Sequence, residues 1–387
     1  MKRFSRLILA WSAAALLAGC ASAPNAPQPP ILFDDALFAS PTLPVDAAQV
    51  LALSEPMRRY AEVELATAVR DKGARTALAN ALLRRGALRL EYDTAVTRTA
   101  SQAFEARSGN CLSLVLMTTA LARHLKLPVQ FNHVFVEETW GRSGDLLVSS
   151  GHINVTVGNR LGERNQRIDL VDAVTIDFDP PDPGRRQLAR TLNEATVIAM
   201  FMNNRAAESL AAGRVDDAYW WARAAIEADP SFLTGHNTLA VVYLRRGAPA
   251  QAERVLAQLV ALEPDNTAAL SNLAKAHERQ GHAEAARAVR ERLARIEPAP
   301  PFHFYLAGVE ALKRRDYAVA RTLFEKEVAR AAYYHEFHFG LALALLGLGE
   351  VEPARRQLAI AFDHSTRVQD RQLYAGKLER IKALRLQ

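Results

Sequence analysis

Cysteine is almost absent: a chain of 387 residues has two, Cys20 and Cys111. That excludes a disulfide scaffold and any cysteine-rich zinc or iron–sulfur site. Long apolar runs are also missing, so the composition does not suit a polytopic membrane protein. No Lys/Arg run interleaves with aromatics, and the formal charge of +6 falls to about +3 without Lys2, Arg3 and Arg6. A nucleic-acid partner is therefore not expected. No calcium-binding loop, nucleotide motif or spaced metal-ligand cluster is visible, so no cofactor and no metal are expected. What is present is ordinary for a folded protein: 49% hydrophobic residues, 23% charged and a mean hydropathy of −0.08. The length suits two or three domains.

The first twenty residues have the layout of an export signal. Lys2, Arg3 and Arg6 precede an apolar stretch of 12 residues, Leu7 to Ala18. This is too short to span a bilayer, which takes about 20 residues. It ends Leu17-Ala18-Gly19-Cys20, which resembles the bacterial lipobox. The resemblance implies a signal peptide over 1–19 and a lipidated Cys20 that ties the mature chain to a membrane. Residues 20–45 then form a spacer, Pro-rich at its start and unable to pack a core. Ala21, in place of the aspartate that favours inner-membrane retention in enteric bacteria, points to an outer-membrane anchor facing the periplasm.

The second half repeats at an interval of 34. Ala218, Ala252, Ala286, Ala320 and Ala354 fall on it, as do Ala206, Ala240, Ala274, Gly308 and Ala342. Gly213, Gly247, Gly281 and Gly349 form a third column, with Arg315 in the fourth glycine's place. Small residues let paired helices approach, and the glycine turns the chain between them. The pattern resembles the tetratricopeptide repeat, a helix–turn–helix unit. It implies five units over 199–368, after a connecting helix at 184–198, with an amphipathic cap at 369–387. Such arrays bind a peptide or protein partner on a concave face. The positions expected on that face include Asn203 and Asn237, which suit hydrogen bonds to an extended peptide backbone. His335 and His338 lie one helical turn apart without a third ligand and read as surface or packing residues.

Residues 46–183 lie between spacer and array. Ala47 to Arg85 has helical periodicity, with Val50, Met57, Tyr60, Val63 and Leu65 on recurring apolar faces. Ser108-Gly109-Asn110 then forms a turn with good capping residues before an apolar helix expected over Leu112 to Arg123. Cys111 therefore falls at a helix start, where the dipole and free N–H groups favour a thiolate. Strand-like segments follow. His152 opens Ile153 to Val157, and Asp169 lies on the next apolar segment beyond a polar turn at 158–166. Cys, His and Asp in that order suit a nucleophile, base and orienter. The alternative for Cys111 is a buried structural thiol, and His133 is a rival base.

Arg107-Ser108-Gly109-Asn110-Cys111, followed by His124-Leu125-Lys126-Leu127-Pro128, resembles the transglutaminase-like superfamily of papain-like thiol folds. The match covers roughly residues 92–180. It implies an α+β papain-like domain over 46–183 ahead of the all-α tetratricopeptide solenoid. It also implies Cys111 as nucleophile, His152 as base, Asp169 as orienter and a peptide or protein substrate cleaved or transferred at an amide bond. Two features depart from the family: Asn154 stands where an aromatic is common, and Leu170 follows Asp169 in place of proline. Asp172 is thus an alternative third member, and a catalytically silent scaffold is the alternative function.

Overall fold

A computed structural model describes residues 32–83, 88–93, 96–143, 146–158, 173–178, 188–299, 302–365 and 368–384. The expected lipidation residue Cys20 and both Asp169 and Asp172 lie outside the described residues. The chain divides into two units, residues 1–37 and residues 38–387. The described part of the first contains one 3-10 turn, Asp35–Leu37.

The second unit begins with short helices: α1 (Glu55–Arg59), α2 (Ala66–Lys72) and α3 (Ala74–Leu83). A π turn at Tyr60–Glu64 links α1 to α2. It rotates the apolar face, so Met57, Tyr60, Ala61 and Leu65 are buried while Val63, expected beside them, is 64% exposed. Two short strands, β1 (Glu91–Tyr92) and β2 (Ser108–Gly109), pair in parallel around α4 (Ala100–Ala106). Helix α5 (Cys111–His124) follows, buried continuously from Leu112 to Ala122. A helix apolar on every side must be packed all round, which makes α5 the axis of the domain.

The next four strands are β3 (Val129–Ser143), β4 (Leu146–Val157), β5 (Val174–Ile176) and β6 (Leu188–Leu192). They form one antiparallel sheet in the order β5-β4-β3-β6. β6 pairs Phe131 with Leu192. The sheet therefore extends past residue 183, and α6 (Glu194–Ala211) begins directly after it with no separate connecting helix among the described residues.

Helix α6 is the first of the repeat array. The second helices of the five repeats are α7 (Val215–Ala228), α9 (Pro249–Leu262), α11 (Ala283–Ile296), α13 (Tyr317–Arg330) and α15 (Val351–His364), starting at intervals of 34. The first helices after α6 are α8 (Leu233–Arg246), α10 (Thr267–Arg279), α12 (His303–Lys313) and α14 (His335–Gly347). A last helix, α16 (Val368–Leu384), buries Tyr374 and Ile381 against Ala342, Leu358 and Ala361. The alanine columns at 206 and 218 are buried in every repeat where alanine stands. In the fourth repeat Gly308 replaces alanine because a Cβ there would sit 2.9 Å from the Phe324 ring. The turn column has positive φ throughout, Arg315 included at 60°.

Among the described residues the stacking is thinnest at one place: of the consecutive helices from α6 to α16, α11 and α12 pack on each other least. The 34-residue interval continues across this seam, but the packing thins. On its far side Phe302 takes a left-handed conformation with φ 66°, and its buried ring rests on Tyr305, Tyr334 and Phe337.

The N-terminal segment of the second unit is pinned to the first two repeats. The Phe38 ring stacks on Tyr219 at 3.9 Å with 5° between planes, and Arg246 lies over its other side at 5.0 Å. Trp220 Nε1 donates to the Ala39 carbonyl at 2.7 Å, and the Ala39 N–H donates to Asp216 at 2.9 Å. Thr42 donates its N–H and hydroxyl to Asp217 at 2.7 and 2.8 Å. Burial alone would raise the Asp217 carboxyl, but Thr42 and the Arg214 charge hold it below its usual range. Replacing Phe38 with alanine removes a buried aromatic and its stack. The expected cost is about 3 kcal/mol, read as a lower urea midpoint.

Candidate thiol site

The loop before α5 is built by side chains that leave it one conformation. Asn110 caps the helix: its Oδ1 accepts from the Ser113 N–H at 2.9 Å and the Ser113 hydroxyl at 2.8 Å. Its Nδ2 donates to Thr97 Oγ1 at 2.9 Å, and the Arg98 N–H donates to Ser113 Oγ at 2.8 Å. Gly109 has no substitute here, since a Cβ would meet Ser113 Cβ at 2.6 Å. Arg107, left-handed at φ 51°, closes α4 and delivers the chain into this turn. Cys111 is thus the first residue of α5, partly exposed and free. The Ser113 N–H is capped, which leaves those of Cys111 and Leu112 as the helix-start donors nearest the sulfur.

His152 lies on β4 and is 8% exposed. Its Nε2 sits 2.8 and 2.9 Å from the two oxygens of Asp177. Cys111, at the start of α5, is the other group that acts electrostatically on the imidazole. With Nε2 engaged by the carboxylate, Nδ1 is the nitrogen left for the sulfur. Burial alone would depress the imidazole. The Asp177 hydrogen bonds and charge, together with neighbouring Cys111, outweigh it and push the His152 pKa up to about 10.

The carboxylate on His152 is therefore Asp177, which the sequence reading missed. Asp177 directly follows β5, whose Ile176 pairs with Val155, so it falls opposite Asn154. Asn154 Nδ2 donates to Asp177 Oδ2 at 3.0 Å. Asn154 is held in turn by Asn132 Nδ2 at 3.0 Å, and Asn132 also donates to Thr156 Oγ1 at 2.9 Å. Asn154, a departure from the resemblance, thus supports the carboxylate. The available signal was the β-branched run Val174-Thr175-Ile176 ending in an acid. Alternation along β3 puts His133 on the face opposite Asn132 and, through the pairing of Asn132 with Asn154, opposite His152. Burial first, then Arg190 and His152, push its imidazole down. It does not serve as the rival base.

In the array, Asn203 is 7% exposed and Asn237 accepts from Asn272 at 3.0 Å. Asn203 is packed within the array, so it does not present an open peptide-binding edge as expected. Both histidines of α14 are engaged: His335 with the Tyr374 hydroxyl at 2.8 Å, and His338 with Gln357 at 2.6 Å and the Ala332 carbonyl at 2.7 Å.

Two tetratricopeptide-repeat family models match, at residues 243–303 and 305–361. Their boundary falls just inside the start of α12. Among solved structures, the chain is similar to TTC0263, a thermophilic TPR protein of Thermus thermophilus. That pair shares 21% identity over 46% of this chain and 98% of that one, at a TM-score of 0.31. It is similar to Pseudomonas aeruginosa pilF at 22% identity over 48% and 85% of the two chains, TM-score 0.31. It is also similar to MamA at 20% identity over 45% and 93%, TM-score 0.26. No curated protein sequence matches the chain. The C-terminal region is a tetratricopeptide solenoid, an architecture that supports a protein partner.

The raised imidazole has a consequence for stability. Its folded pKa of about 10 lies above the unfolded value near 6.5. The Asp177 interaction therefore stabilises fully below about pH 6.5 and is lost as pH rises through about 10. The gap in urea midpoint between the wild type and Asp177→Asn should be widest at pH 6 and narrow steadily toward pH 10.

Proposed function

We propose that the chain is an envelope lipoprotein scaffold whose repeats hold a protein partner, and that its α+β domain is a transglutaminase-like thiol hydrolase acting on that partner or a peptide. The family matches support the scaffold part. The thiol chemistry is supported by one observation: Nε2 of His152 sits on both Asp177 oxygens while Cys111, at the start of α5, is the other group that acts on the imidazole. The lipobox resemblance at Cys20 is what supports a lipid anchor and a periplasm-facing outer-membrane position.

The chemistry assigned to each residue follows from that geometry. The Cys111 thiolate, paired with the His152 imidazolium, attacks an amide carbonyl. The N–H groups at the α5 start receive the oxyanion. As the C–N bond breaks, His152 gives its proton to the departing amine. Water then attacks the thioester, its proton passing to His152, and the acid is released with the thiol regenerated. Asp177 keeps the ring in one tautomer and supports its positive charge. Cleavage of a peptide or isopeptide bond is favoured over cross-linking because the expected setting is aqueous and the repeats would present a chain.

The scaffold without catalysis is the second reading, and the comparisons, which bear on the repeats alone, support it better than the enzyme. Iodoacetamide alkylation separates the two. In a chain lacking residues 1–30, Cys111 is the sole thiol. On the enzymatic reading its alkylation at pH 6 is fast and falls by about tenfold or more in His152→Ala. A slow rate, or one indifferent to His152, leaves the scaffold as the function. Complementation of a deletion strain by Cys111→Ala would point the same way.

A further inference from the structure

Outside the thiol site, one cluster of side chains has the makings of a ligand site. Glu253 on α9, His277 near the end of α10 and His282 at the start of α11 present donor atoms within 4.8 Å of one another. Glu253 Oε2 is 3.6 Å from His277 Nδ1 and 4.0 Å from His282 Nδ1. Both distances are too long for a hydrogen bond. They are close to the spacing of about 3.4 Å between donors that share a tetrahedral ion at 2.0–2.1 Å. His277 Nδ1 is buried and makes no hydrogen bond. A buried imidazole nitrogen facing a carboxylate across such a gap is poorly satisfied by either neighbour.

The backbone makes the convergence reproducible. Gly281 turns left-handed at φ 77°, and the His282 N–H donates to the His277 carbonyl at 2.9 Å. This tight turn brings the second imidazole back toward the first, with ring centroids 6.1 Å apart. Gln280, in the same turn, donates from Nε2 to Glu253 Oε2, and the same Nε2 lies 3.3 Å from the Ala276 carbonyl. A donor that orients a ligating carboxylate from outside is a usual companion of a metal site. His277 is largely buried and Glu253 partly so, whereas the His282 side chain is 55% exposed.

We infer that Glu253, His277 and His282 form a binding site for a divalent transition metal, with Zn²⁺ the best match to two imidazoles and one carboxylate. The fourth position is left to water. The ion would join the second repeat to the turn of the third, just before the seam between α11 and α12. No single sequence motif carries this set, because Glu253 reaches the two histidines only through helix stacking.

The test is calorimetric titration of Zn²⁺ into the EDTA-treated full chain carrying Cys20→Ser and Cys111→Ser, which removes both competing thiols. One equivalent should bind with micromolar or tighter affinity and raise the melting temperature, while Mg²⁺ does neither. Binding should weaken by at least about tenfold in His282→Asn and in Glu253→Gln and stay unchanged in His303→Asn. His282 is exposed, so its variant retains the fold, which circular dichroism checks. Absence of stoichiometric binding, or an affinity unmoved by both His282→Asn and Glu253→Gln, would overturn the site.

Discussion

The capped start of α5 is the constraint on which the thiol site depends. A helix buried from Leu112 to Ala122 has no freedom to rotate without emptying the core, so its first residue points where the packing sends it. Asn110 then fixes where the helix begins, and Gly109 brings the backbone to Ser113 more closely than any side chain permits. A cysteine in that first position meets the positive end of the dipole without any charged neighbour being required. The same loop is tied to the array: the Thr97 N–H donates to Glu208 of α6 at 2.6 Å. The first repeat and the loop that holds the thiol are therefore joined directly.

His152 sits in a buried polar network on the same strand face as Asn154 and Thr156. Such a network stabilises only when every member is satisfied. Here each donor has a receiver: Asn132 serves Asn154 and Thr156, and Asn154 serves Asp177. The last links bind an imidazolium between a carboxylate and a sulfur. A buried charge is tolerated because its partners are charged or strongly polar and fixed in place.

The array obeys a different rule. Small residues at two columns set how closely its helices approach, and the turn column sets the angle at which each pair reverses. Those columns persist through all five repeats, yet the stacking is thinnest between α11 and α12. Periodicity dictates the internal geometry of a repeat. Whether neighbouring repeats stack depends on the faces they offer, and α11 buries little beyond Ala286. The pinned segment around Phe38 shows the converse, a stretch without periodicity held by Tyr219, Trp220 and Asp217.

The parts legible in the sequence are those governed by short-range sterics and hydrogen bonds. The 34-residue columns, the left-handed turns after each first helix and the Asn110 cap ahead of Cys111 all follow from local chemistry that a few neighbouring residues specify. The third member of the thiol site was not legible. Which carboxylate faces His152 depends on the register of the strand paired with β4, which the sequence leaves open. Only the pairing of Val155 with Ile176 brings Asp177 to the imidazole. Burial of Asn203, the seam in the solenoid and the meeting of Glu253 with His277 and His282 were likewise decided by packing between elements distant along the chain, where sequence spacing carries no distance information.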